Sequence, residues 1–191
     1  MKKLPIVSVF RKESVSDGLD APNLAGSPLL APSKFYARMM ERRLGMDTDR
    51  IRLQINGINL EGFQASHGAS DEHPAIGYLA RMCEVKWLPL MIDAFVHLRT
   101  QLGNDSARLK VAGAMTKGDV ALVESLKSKL AEAGLSDSVE WLPNISRDEK
   151  LAFLSSLSLF SVPVQYEEAF GLYGIEAMAA SVPIVQPNAS A

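Results

Sequence analysis

Tyr166-Glu167-Glu168-Ala169-Phe170-Gly171-Leu172-Tyr173-Gly174-Ile175-Glu176-Ala177-Met178-Ala179-Ala180 is the stretch on which the reading of this chain turns. It follows an apolar, β-prone run over 159–162, and the change of period predicts a turn and a helix behind a parallel strand. Gly171 and Gly174 allow the backbone a close approach at the start of that helix. Its first-turn amides have no partner within the helix and point outward, which suits an anion. Glu168 precedes this terminus and Glu176 lies inside the helix. Amides for a phosphate, flanked by carboxylates that accept from hydroxyls, describe a site for a nucleotide joined to a sugar.

Working outward, the chain alternates strand and helix from Pro74 onward, the pattern of a parallel sheet covered on both faces. Strands are predicted over 76–79, 109–112, 139–142, 159–162 and 182–186. Helices are predicted over 87–98 and about 119–133, the second stopped by Gly134. Ser146-Arg147-Asp148-Glu149 reads as a capping box opening a short helix to Ser156. The fold class is therefore α/β, a Rossmann-like doubly wound parallel sheet, with ligands at the carboxyl ends of the strands. Gly77-Tyr78-Leu79-Ala80-Arg81-Met82-Cys83-Glu84-Val85-Lys86 follows the first of these strands. Arg81 and Lys86 thus fall on a strand-to-helix loop at the sheet's ligand edge, where two cations suit an anionic ligand.

Residues 1–73 read as the end of something rather than a domain. A strand over 6–10 and a long polar loop over 11–28 lead to a helix over 34–44, capped by Ser33 and stopped by Gly45. A strand over 51–55 is closed by the turn-former Asn56-Gly57, and 63–73 is small and polar, as a linker is. Hydrophobic residues make up 47% of the 191, enough for a packed core. A net charge of −2 without a basic run gives no attraction to nucleic acid. The single cysteine, Cys83, excludes an internal disulfide and suits a reducing compartment. No stretch matches a membrane span or a signal peptide, so the expected location is the cytoplasm. Asp71-Glu72-His73 has metal-ligand residue types, but consecutive linker residues seldom converge on one ion.

Glu168-Ala169-Phe170-Gly171-Leu172-Tyr173-Gly174-Ile175-Glu176 resembles the E-x7-E signature of the family 4 (group 1) glycosyltransferases. Those enzymes have the GT-B fold of two facing Rossmann-like domains. The likeness runs from near Pro32 to the last residue and is closest from Ile76 onward. Arg81 and Lys86 are similar to the family's G-R-x4-K segment. The order A-P-S-K-F-Y, helix, I-R-L-Q-I-N-G-I-N resembles the exit of the N-terminal domain, with Ile55 for a proline and Asn59 for an aspartate. The resemblance implies that 1–73 is a remnant of the acceptor domain plus linker. It implies that 74–191 is the nucleotide-sugar donor domain, incomplete at its C-terminus, so that the chain is truncated at both ends.

The resemblance also implies roles. Arg81 and Lys86 hold the diphosphate, Glu176 the ribose hydroxyls and Glu168 a donor-sugar hydroxyl. Phe170, Gly171 and Leu172 give amides, and Gly113 comes close to the donor. The implied reaction transfers a sugar with retention, needs no metal or other cofactor, and uses a sugar or lipid-linked acceptor held by the N-terminal domain. Three positions depart from the family's glycines: Ala80, Trp87 and Ser181. Ser181 is expected at a left-handed helix-end position, at a cost of roughly 1 kcal/mol. Two other readings stay open: a GT-B nucleotide-sugar epimerase, and a degraded or truncated module that binds nucleotide without catalysis.

Overall fold

The computed structural model describes residues 29–45, 47–66, 73–166 and 168–188. The strand expected over 6–10, the loop over 11–28 and the Asp71-Glu72 pair lie outside these residues. The described residues divide into two compact units: one holds those from 29 to 57 together with 168–170, and the other those from 58 to 166 and from 171 to 188.

The first unit is a small parallel βαβ arrangement. Strand β1 (Leu29–Ala31) pairs in parallel with β2 (Ile51–Leu53), in the register Leu29 to Ile51. Helix α1 (Lys34–Leu44) joins them. Ser33 caps α1 by accepting from the Tyr36 amide at 3.0 Å, and Gly45 ends it in the left-handed region. Leu29, Ala31, Ala37, Met40 and Ile51 form its core. β1, only three residues before Pro32, is too short to read as a strand from sequence. β2 stops at Leu53 rather than Ile55, and Asn56-Gly57 forms no turn. The chain turns instead at Glu61-Gly62, where the Asn59 side chain accepts from the Glu61 amide at 2.9 Å.

The second unit is the α/β sheet that the alternating pattern predicts. Its elements are β3 (Ala75–Leu79), α2 (Leu88–Thr100), β4 (Arg108–Gly113), α3 (Val120–Glu132), β5 (Val139–Pro143), α4 (Arg147–Ser155), β6 (Leu159–Phe160) and α5 (Leu172–Ala179). All pairs are parallel, in the order β5-β4-β3-β6. Central strand β3 is buried at Ala75, Gly77, Tyr78 and Leu79, which explains its near-continuous apolar run. α2 buries Leu88, Met91, Ile92 and Phe95 and α3 buries Val123, Leu126 and Leu130, each one apolar helix stripe. The capping box of Ser146 and Glu149 is present at the start of α4.

The fifth expected strand, 182–186, is replaced by a single parallel bridge between Phe160 and Ile184. The Phe160 amide donates to Pro183 O at 2.8 Å and the Val185 amide to Phe160 O at 3.0 Å. Pro183 and Pro187 offer no amide on either side of that bridge, so the ladder cannot lengthen. Residues 58–66 belong to the same unit as this sheet. Phe63 packs on the core with Arg147 over its ring, and Ser66 donates to Leu157 O at 2.6 Å.

Candidate functional site

The strand order decides where the site lies. From β3 the chain proceeds outward through β4 to β5, then returns to the other side of β3 to form β6. The crevice outside the carboxyl ends of β3 and β6 is therefore the topological switch point, where open parallel sheets bind ligands. The loop after β3 carries Arg81 and Lys86. Gly171 and α5 follow β6.

Tyr78 anchors the cation loop from below. Its phenol is fully buried and donates toward the carbonyls of both Arg81 and Lys86, each at 3.1 Å. Burial pushes this phenol well above its usual range, and nearby Cys83, Tyr166 and Tyr173 push the same way. The proton thus stays on the oxygen and keeps serving the two carbonyls. Lys86 ends a short 3₁₀ turn, Glu84–Lys86. Its ammonium donates to the Tyr166 hydroxyl and lies 5.1 Å and 5.7 Å from the ring centroids of Tyr166 and Tyr173. The loops following β3 and β6 are thereby joined through one cation and two aromatic rings.

Arg81 has a carboxylate partner that the sequence reading missed. Asp119, at the end of a 3₁₀ turn before α3, accepts from Arg81 Nε at 3.3 Å and Nη2 at 3.1 Å. Thr116 adds its hydroxyl at 2.6 Å and its amide at 2.8 Å to the same carboxylate. The Thr116 hydroxyl, the Arg81 fork and the Thr116 amide hold Asp119 down to about 2. Thr116-Lys117-Gly118-Asp119 is a capping-box pattern with aspartate in the third place, the signal from which the carboxylate was readable.

Gly113 ends β4 beneath this loop. Its φ is +136°, and a Cβ built there would stand 1.9 Å from Ala80 O. The Ala80 amide donates to Ala112 O at 3.2 Å, and the Met82 amide to Ala114 O at 2.8 Å. Close approach of the chain to itself thus already requires glycine at 113.

Trp87 has φ +55°, so it occupies a left-handed position of the kind that favours glycine, and its indole packs on the main core. Ser181 has φ +58°, as expected. The Val182 amide donates to Ala177 O at 3.0 Å and the Ser181 amide to Met178 O at 2.9 Å, a Schellman helix end.

α5 begins at Leu172, with Gly171 before it at φ +73°. The Gly174 amide turns back to Gly171 O at 2.9 Å. A Cβ at Gly174 would meet only ordinary contacts, so the chain's own packing does not demand glycine there. Glu176 pairs with Lys150 of α4 at 2.5 Å, the two side chains 18% and 24% exposed. Lys150 was not singled out in the sequence, because a lysine on the face of a short helix carries no motif.

Glu168 and Phe170 belong to the first unit, whereas Gly171, Leu172 and Glu176 belong to the second. Within the first unit Glu168 is half-buried near Tyr36. Burial raises the Tyr36 phenol, Arg43 counteracts this, and Glu168 adds to it. Next to Glu168, Ala169 O accepts from the Ser33 hydroxyl at 2.8 Å. Among the described residues no three His, Cys, Asp or Glu side chains group as metal ligands.

Comparison with known proteins bears on this geometry. A sequence model of the family "Glycosyl transferases group 1" matches residues 61–190. A D-inositol 3-phosphate glycosyltransferase of Streptomyces bingchenggensis is 26% identical over 172 residues, covering 84% of this chain and 38% of that protein. The chain therefore spans well under half the length of such relatives. Among solved structures, the Anabaena HepE protein in complex with UDP and glucose superposes with a TM-score of 0.73 at 20% identity, over 88% of this chain and 47% of HepE. A Rickettsia africae glycosyltransferase gives a TM-score of 0.74 at 18% identity, over 87% and 46%. At these identities the structures show a shared fold.

Proposed function

The chain belongs to the group 1 glycosyl transferases, and we propose that it is the donor-binding part of such an enzyme, moving a sugar from a nucleotide diphosphate to an acceptor with retention. The observation that carries this reading is the switch point between β3 and β6, flanked by the Arg81–Lys86 loop and by the start of α5. Arg81 and Lys86 meet the diphosphate, and the Gly171 and Leu172 amides extend that contact. Glu176 accepts from the ribose hydroxyls, sharing its charge with Lys150. The family resemblance assigns Glu168 to a hydroxyl of the donor sugar, the Phe170 amide to the donor's phosphate or sugar, and Gly113 to a backbone contact with the donor.

In the reaction the bond between the anomeric carbon and the β-phosphate oxygen breaks, its electron pair leaving with the diphosphate. The acceptor oxygen attacks from the same face and passes its proton to the leaving phosphate. The charge that grows on the diphosphate is met by Arg81, Lys86 and the helix-start amides, fixed donors that need no reorganisation. The acceptor is a sugar or lipid-linked acceptor, held by the family's N-terminal domain. The expected compartment is the cytoplasm, consistent with a single cysteine. Among the described residues no helix is long and apolar enough to cross a membrane.

HepE is solved with UDP-glucose, so uridine nucleotides are the first to try. Calorimetric titration with UDP, GDP, ADP and their glucose conjugates, in chelator and again with magnesium or manganese, tests the reading. Saturable binding in chelator that weakens as salt rises is expected. Strict dependence on a divalent metal would overturn the assignment of the diphosphate to Arg81 and Lys86.

A further inference from the structure

We propose that Asp119 is a positioning residue for the donor diphosphate, holding the Arg81 guanidinium by one edge so that its other edge faces the phosphates. The inference rests on the assignment of Arg81 to the diphosphate. Three observations carry it. Asp119 is a carboxylate with 6% of its side chain exposed, whereas Arg81 is 51% exposed, so a buried anion reaches out to a surface cation. Its two oxygens take Nε and Nη2 of Arg81, the side-on edge of the fork, which leaves Nη1 and the end-on edge for a second bidentate partner. The carboxylate cannot swing to follow the arginine, because the hydroxyl and amide of Thr116 both bind Oδ2. Arg81 thereby keeps one rotamer before any ligand arrives, and the entropy of ordering a long side chain is lost in folding rather than in binding.

A buried anion also lowers the net charge near the phosphates, which works against binding. Asp119 is nearly buried, so salt screens its charge little, and binding measured at about 0.15 M salt weighs orientation directly against charge.

The test uses UDP, GDP and ADP, with uridine, guanosine and adenosine as ligands lacking the diphosphate, titrated at that salt against the wild type and four variants. Asp119→Asn should weaken the bound diphosphate about three- to tenfold, the loss expected from one freed side chain, and leave the matching nucleoside unchanged. A merely structural lesion lowers both. Thr116→Val removes the hydroxyl from the same cap but leaves the carboxylate on Arg81, so it should weaken the diphosphate less than Asp119→Asn. The double variant Arg81→Ala/Asp119→Asn should bind no worse than Arg81→Ala, since Asp119 acts through Arg81. Unchanged or tighter diphosphate binding by Asp119→Asn, with Arg81→Ala weakened, overturns the positioning role and leaves the Arg81 assignment standing. Equal diphosphate affinity of Arg81→Ala and wild type, or no diphosphate binding by the wild type, overturns both.

Discussion

Gly113→Ala offers a direct reading of how tightly the strand ends are packed beneath the cation loop. At φ +136° an L side chain is strained whatever the space, at a cost of about 1–3 kcal/mol. The added Cβ would also stand 1.9 Å from the carbonyl oxygen of Ala80 and 2.7 Å from its carbon. Both are backbone atoms of the segment that leads to Arg81, and no side-chain rotation relieves the clash. Forcing the two strand ends apart adds about 1–3 kcal/mol of overpacking. The sum is about 2–6 kcal/mol, and a chain of this length loses about 2–4 °C of melting temperature per kcal/mol. A drop of at least about 4 °C is therefore expected in a thermal melt followed by circular dichroism. Gly103→Ala is the control, because Gly103 also has positive φ, at +66°, but nothing lies within 4 Å of its added Cβ. It should lose only the left-handed penalty of about 1 kcal/mol. Equal melting temperatures for the two variants would refute the claim that contact with Ala80 requires glycine at 113.

Other perturbations follow from the same geometry. Ser181→Gly removes the penalty at φ +58° and should raise the folding free energy by up to about 1 kcal/mol in denaturant melts; a decrease would contradict the left-handed assignment. Tyr78→Phe leaves the Arg81 and Lys86 carbonyls without their buried donor and should destabilise by about 1–3 kcal/mol, an unchanged denaturation midpoint being the adverse result. The folded-state pKa of Asp119 is depressed to about 2. Its contribution to stability is thus present above the ordinary aspartate value of about 3.9 and lost as pH falls from there toward about 2. The melting temperature should fall through that window by less in Asp119→Asn than in the wild type, and parallel curves would count against the depressed pKa.

Much of the second unit was legible because its central strand β3 is largely buried and its helices carry single apolar stripes, so period and length sufficed. Ser33, Gly45, Gly134 and the Ser146 capping box marked helix ends correctly, since caps act through neighbouring backbone. Of what failed, one part was decided by a distant strand and one by a local side chain. The bridge at Ile184 depends on which amides face Phe160, and proline at 183 limits it to one rung. The turn moved from Asn56-Gly57 to Glu61-Gly62 because Asn59 supplied the local hydrogen bond. At the candidate site, Arg81, Lys86 and Glu176 were readable as motif positions. Their partners Tyr166, Tyr173 and Lys150 were not, because each comes from a different element than the residue it meets, and Asp119 was readable only as a helix cap, not as the partner of Arg81.

The two glutamates of the signature test the donor-binding reading most directly. A carboxylate that accepts from the ribose matters whether or not a sugar is attached, and one that accepts from the sugar matters only when the sugar is present. Charged hydrogen bonds of this kind contribute about 1.5–3 kcal/mol each, or roughly ten- to more than a hundredfold in affinity. Calorimetry on Glu176→Ala should show nucleoside diphosphate and nucleotide-sugar weakened by similar factors. Glu168→Ala should leave the diphosphate nearly unchanged and remove most of the extra affinity contributed by the sugar. Negligible effects of both substitutions on every ligand bound would contradict the account and leave the signature as a structural helix.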